Sequence, residues 1–162
     1  MSVFARAGLG LVLLTVPLSS ANASPVDADG QKVMVKVQAI GDQIYECKAD
    51  ATGAKTWQFR EPLATLTEDG KTVGRHFTGP EWLFDDGSFV VGKVAAKSDG
   101  ATPQDIPWLR LDVVNHGGQG RLSGVTTVQR LATQGGVFAG ACEKVGELHL
   151  EPYRATYIFL GQ

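Results

Sequence analysis

VGRHFTGPEWLFDDGSFVVG (Val73–Gly92) places a histidine, three carboxylates and a serine within twenty residues. It reads either as a catalytic constellation or as β-sheet whose polar residues make turns. Asp86-Gly87 between two apolar runs is the strongest short hairpin signal, because a two-residue type I′ loop needs φ > 0 at both positions. Pairing outward from that loop sets Asp85 opposite Ser88, Phe84 opposite Phe89, Leu83 opposite Val90 and Trp82 opposite Val91. Trp82, Phe84, Phe89 and Val91 then share one face, and an aromatic cross-strand pair contributes up to ~1 kcal/mol. Asp85, Asp86 and Ser88 become turn residues, and Thr78-Gly79-Pro80 bends the chain before the hairpin. Only His76 is left without a turn role.

The same period of two runs outward in both directions. Val33, Val35 and Val37 fall on one face, Tyr45, Cys47 and Ala49 alternate with Glu46 and Lys48, and Trp57 and Phe59 alternate with Gln58 and Arg60. Leu109, Leu111 and Val113 repeat the pattern. Val125-Thr126-Thr127-Val128 is β-branched throughout, and Tyr153, Ala155, Tyr157 and Phe159 line one side of a last strand. Gly, Pro, Asp and Asn clusters punctuate these runs. Residues 97–103 and 115–120 read as exposed loops. The expectation is an all-β fold, a single-domain antiparallel β-barrel or β-sandwich of short strands.

Residues 1–23 have a different character. Arg6 precedes an apolar run from Leu9 to Leu18, and Ala21-Asn22-Ala23 supplies the small residues that a signal peptidase reads. A run of about ten apolar residues is too short to span ~30 Å of hydrocarbon as a helix. The order predicts a signal peptide cleaved after Ala23, a mature domain over 24–162 without a transmembrane segment, and a periplasmic or secreted protein. Its formal net charge of −2 becomes −3 when Arg6 leaves. With no Lys/Arg cluster, nucleic acid and anionic membrane are poor partners.

Cys47 and Cys142 are the only cysteines. An even count in an exported chain predicts a disulfide. Neither CxxC nor HxH supports a metal site, and a reactive thiol would leave its counterpart unexplained. His76, His116 in a glycine turn and His149, which reads as a solvated edge residue, are too far apart in sequence to give local support for metal binding. Gly117–Gly124 lacks the spacing of a phosphate loop, and no GxSxG elbow surrounds a serine. No cofactor or metal is expected.

The residues carry a resemblance that spans nearly the whole mature chain. Gly41-Asp42-Gln43-Ile44-Tyr45-Glu46-Cys47, Trp57-x-Phe59-x-x-Pro62-x-Ala64-x-Leu66, Val73-Gly74-x-His76-x-x-Gly79-Pro80-x-Trp82 and Asp86-Gly87-Ser88 follow in order. Ile106-Pro107-Trp108-Leu109, Val128-Gln129-Arg130-x-x-Thr133-x-Gly135-Gly136, Cys142 and Pro152-Tyr153-x-Ala155-x-Tyr157-x-Phe159 complete the series. Together they resemble the family called domain of unknown function 3455, which implies an exported β-rich protein with no established activity. A fainter likeness is to the periplasmic inhibitors of c-type lysozyme, through Tyr45-Glu46-Cys47 and Ser123-Gly124. The tyrosine expected soon after their inhibitory loop is missing here, where Thr126 and Thr127 follow.

Two functional classes follow. The first is a non-catalytic binding module for a glycan, small ligand or envelope protein. It would use Tyr45, Trp57, His76, Trp82 and Trp108, with Arg130 as an anion partner. Large aromatics also dominate cores, so each tryptophan has a packing alternative. The second is a secreted hydrolytic or metal-dependent enzyme built around His76 and a nearby carboxylate. A pocket holding His76 beside Asp or Glu would mark the enzyme.

Overall fold

A computed structural model describes residues 24–162. The expected cleavage site after Ala23 lies outside these residues. The chain forms eight antiparallel strands: β1 (Lys32–Ala49), β2 (Lys55–Glu68), β3 (Lys71–Phe77), β4 (Glu81–Phe84), β5 (Phe89–Ser98), β6 (Trp108–Gly117), β7 (Thr127–Gly135) and β8 (Leu148–Gly161). Each pairs with its sequence neighbour, and β1 pairs with β8 to close the ring. No helix occurs among the described residues. The ring is uneven, since β1 has 18 residues and β4 only 4.

The long strands at the closure correct the expectation of short ones. Irregularities keep β1 running while it turns around the ring. Its register shifts between Val33 and Val35 against β8, and between Ile44 and Tyr45 against β2. The first shift leaves Val33 exposed, whereas Val35 and Val37 are buried. Gly41 lies where β1 presses on β2, and a Cβ there would overlap the Leu63 carbonyl and Ala64. A glycine in mid-strand lets two backbones approach at a barrel corner.

The apolar core fills the ring from inside. Val35, Val37 and Ala39 of β1 meet Tyr153, Ala155, Tyr157 and Phe159 of β8, with Leu66, Trp82, Phe84, Val90, Leu111 and Val128 around the circle. Lys36, Gln38 and Arg154 of the closing strands lie on the outer face. A membrane barrel reverses this arrangement, with an apolar belt outside and a polar lumen. Outside β7, Val26 is buried and its carbonyl accepts a hydrogen bond from Gln129 Nε2 at 2.6 Å.

The hairpin of the opening stretch is present, displaced by one residue. Trp82 pairs with Val90 and Leu83 with Phe89. Phe84 N–H donates to the Ser88 carbonyl, and Gly87 N–H donates to the Phe84 carbonyl, both at 2.9 Å. The loop is therefore Asp85-Asp86-Gly87, and Gly87 alone is in the left-handed region, at φ 83°. This is the three-residue connection with glycine at the bulge position. A one-residue slip exchanges faces, so Ser88 rather than Phe89 joins Trp82, Phe84 and Val90 inside.

Asp86 holds this register. Its Oδ1 accepts hydrogen bonds from Ser88 N at 2.9 Å and Ser88 Oγ at 2.6 Å, and its Oδ2 accepts from Arg121 N at 2.8 Å. Ser88 Oγ in turn accepts from Leu122 N at 3.2 Å. These bonds seat the fully buried Leu122 as a plug at this end of the ring. Ser88→Ala should consequently cost about 1–3 kcal/mol, because the buried Leu122 N–H loses its acceptor. A shift in the urea-denaturation midpoint would measure this, and a cost near zero would contradict the anchoring role.

Candidate functional site

The opposite end of the ring is open. A cavity of about 490 Å³ enters there between the β3–β4 turn (Thr78, Gly79 and Pro80), the Ile106-Pro107 side of the β5–β6 loop, and Val137. Two features bring loop and strand end together. Asp105 accepts hydrogen bonds from Thr102 N at 3.0 Å and from Gly135 N at 2.7 Å, pinning the loop to β7. The register of β7 also shifts between Leu131 and Gln134, where Ala132 takes φ 48°. This bulge lets buried Thr133 Oγ1 donate to the Ile106 carbonyl at 2.6 Å.

His76, Trp82, Leu111 and Tyr157 are among the cavity's buried lining residues. His76 and Trp82 are cross-strand partners, and their rings stack with centroids 4.6 Å apart and planes within 6°. Tyr157 meets the imidazole edge-on at 5.0 Å. His76 Nδ1 lies 2.9 Å from the Glu81 carbonyl. A carbonyl can only accept, so Nδ1 carries the proton and Nε2 keeps a lone pair. Burial pushes the imidazole pKa down to about 3, with the charge of Arg130 adding to the effect and the Glu81 carbonyl opposing it.

Arg130 enters from β7, opposite Tyr157 on β8 and Leu109 on β6. Its Nε and Nη2 donate to the Pro107 carbonyl at 3.1 and 2.9 Å. No described carboxylate forms an ion pair with it. Three further polar groups in the cavity wall are buried without a protein hydrogen-bond partner: Gln43 Nε2, Trp82 Nε1 and the Tyr157 hydroxyl. Tyr157 lies near Arg130 and the Tyr153 hydroxyl, but none of these contacts has hydrogen-bond geometry. Burial raises the Tyr157 pKa despite the nearby Arg130 charge, so the phenol remains protonated.

Tyr45 has a different place. Its hydroxyl donates to the Gly136 carbonyl at 2.7 Å and accepts from Phe138 N at 3.2 Å, fixing the segment that borders the mouth. The rim is apolar, with Phe59, Val94 and Val137 exposed by 52, 51 and 41%. Beside the mouth, Cys47 and Cys142 are joined as expected, with Cα atoms 5.8 Å apart. A disulfide of this kind belongs to an oxidising, non-cytoplasmic compartment.

The cavity thus brings together Tyr45, His76, Trp82 and Arg130. Trp57 stands outside it, packed on Phe138 at 5.7 Å and His149 at 5.8 Å. Trp108 is half-buried outside the cavity lining, with its indole N–H buried and unpartnered among the described residues. His149 is not a solvated edge residue: it stacks on Phe138 at 3.6 Å and lies 2.9 Å from Glu151 Oε2. His116 is exposed, and no group of three His, Cys, Asp or Glu side chains converges among the described residues. Gln43 and Tyr157 were not singled out from sequence. Their signal was parity, since Gln43 shares the inward face of β1 with Val37, Ala39 and Tyr45.

The sequence profile of the family described as "Protein of unknown function (DUF3455)" matches residues 28–161. The chain belongs to that family. In this DUF3455 protein the match covers the entire ring of strands and every residue of the cavity. No curated protein and no solved structure matches the chain.

Proposed function

We propose that this DUF3455 protein is a non-catalytic binding protein, exported to the periplasm or beyond the cell, that receives a small, largely apolar molecule in the open end of its barrel. The carrying observation is the cavity of about 490 Å³, walled by aromatic and aliphatic side chains, rimmed by Phe59, Val94 and Val137, and lined by no carboxylate. Ligand pockets are typically ~300–1,000 Å³, mainly apolar, with a few polar groups that fix orientation. Glycan recognition fits less well, because it relies on many convergent polar groups that this wall does not offer.

The enzyme reading has less support. A general base works best with a pKa near the working pH, whereas His76 is held near 3. No carboxylate in the lining could orient the imidazole or stabilise its charged form. The lysozyme-inhibitor reading has less support still: the Ser123-Gly124 loop is exposed, but the Ser123 hydroxyl is tied back to Gly120 N at 2.9 Å and Gly120 O at 2.8 Å, and Thr126-Thr127 follow where a tyrosine would be needed.

The neutral fluorophore N-phenyl-1-naphthylamine tests the proposal. Its emission should rise on mixing with the protein and saturate at one equivalent. Val94→Trp combined with Val137→Trp should abolish the rise while leaving the melting temperature nearly unchanged, because both sites are exposed. Equal binding by the folded variant would overturn the proposal.

A further inference from the structure

Building on that reading, we infer that the occupant carries a carboxylate, seated against Arg130 and met by hydrogen-bond donors from Gln43 and Tyr157. All formal charge in the cavity wall is positive. Arg60 is partly compensated by Glu61, at 3.1 Å. Arg130 is not: the Pro107 carbonyl takes two of its N–H groups, Nη1 makes no protein hydrogen bond among the described residues, and no carboxylate faces it. Its charge reaches the surrounding Tyr45, His76, Tyr153 and Tyr157.

The orphaned groups have the matching polarity. Gln43 Nε2 and Trp82 Nε1 are donors, and the protonated Tyr157 hydroxyl can donate as well. Buried donors are rarely left unpaired, and donors in a wall that also holds an uncompensated cation are complementary to an anionic oxygen. A carboxylate has two acceptor oxygens and a single negative charge, which one guanidinium neutralises. Phosphate would bring nearly a second charge that no other uncompensated cation in the wall could meet. The remaining wall is aromatic and aliphatic, so the carboxylate should belong to an aromatic or fatty body. His76 lines the same cavity and keeps an acceptor at Nε2, which disfavours a second anionic group beside it.

The test compares 2-naphthoate with its neutral counterpart 2-naphthalenemethanol on the full-length oxidised protein. Titration calorimetry at pH 7.5 provides the affinities, alongside N-phenyl-1-naphthylamine binding. In the wild type the acid should bind roughly tenfold or more tightly than the alcohol. Arg130→Met should bring the two within about twofold, and Arg130→Lys should restore part of the difference. Should Arg130→Met fail to fold, Gln43→Leu keeps the cation and should weaken the acid severalfold while leaving the alcohol unchanged.

Equal binding of acid and alcohol to the wild type would overturn the carboxylate inference and leave the cavity reading standing. Binding of the neutral fluorophore but of neither naphthalene compound would do the same. Displacement of naphthoate by millimolar inorganic phosphate would reassign the subsite to a tetrahedral anion and also overturn it. Failure of all three aromatic probes would instead remove the cavity reading on which the inference rests.

Discussion

Lowering the pH from 7 to 4 should remove about 3 kcal/mol of folding stability through His76 alone. In the unfolded chain its imidazole titrates near 6.5, and in the fold near 3. Between those values the unfolded state binds a proton that the folded state refuses, so stability falls as the solution is acidified. The contribution is fully present above 6.5, declines by about 1.4 kcal/mol per unit, and is exhausted near the folded value. Among the groups around the ring, the Arg130 cation reinforces this direction, Trp82 and Tyr157 are neutral, and the hydrogen bond to the Glu81 carbonyl offsets it only in part.

Asp86 and Asp105 also have lowered pKa values, set chiefly by the backbone N–H groups of Arg121 and Gly135 respectively. Their contributions are lost as pH falls below about 4, so the window above it belongs to His76. Urea midpoints measured across this range should slope steeply in the wild type. In His76→Phe, which retains a ring against Trp82, the slope should nearly vanish, even though the variant begins less stable at pH 7. Parallel slopes would show that the imidazole is not buried as a neutral base.

Reducing Cys47–Cys142 should cost about 4–5 kcal/mol, the loop-entropy value for a closure of 95 residues. For a domain of this size, that corresponds to a fall in melting temperature of roughly 10–25 °C. Paired Cys47→Ala and Cys142→Ala substitutions should reproduce the fall and abolish any response to dithiothreitol. The bridge also bears on the mouth. Cys142 N–H donates to the Lys55 carbonyl, Trp57 N–H donates to the Gly140 carbonyl, and Phe138 N–H reaches Tyr45. Loosening the segment from Gly136 to Cys142 therefore frees Val137 from the rim. Probe affinity should drop in the reduced protein at temperatures where it remains folded.

Much of the ring was legible because its inward face is apolar and strands have a period of two. Tyr153, Ala155, Tyr157 and Phe159 are all buried as their alternation requires. The hairpin turn was located but misregistered, for a reason local sequence does not contain. Asp86 is held by the backbone of Arg121, 35 residues away, and by a serine that must point inward to accept from Leu122. Val33 followed the correct parity until a shift against β8 turned it outward.

The cavity was the least accessible feature. Gln43, His76, Arg130 and Tyr157 lie on four different strands, and only ring closure brings them around one space. Trp57 shows the converse, since its parity does not reveal that Phe138 and His149 would cover it from outside.

The joining of the first strand to the last has a consequence for how the molecule comes into being. Lys32 pairs with Gly161 and Val37 with Tyr157, so the seam cannot zip until almost the entire polypeptide has been synthesised. Proteins dominated by such distant pairings fold in roughly milliseconds to seconds, because loop closure must precede the reward of contact. A nascent chain with this topology is held open by its own order of strands. The ring can close only after its final residues have found the first strand, so the enclosed space is the last feature of the molecule to form.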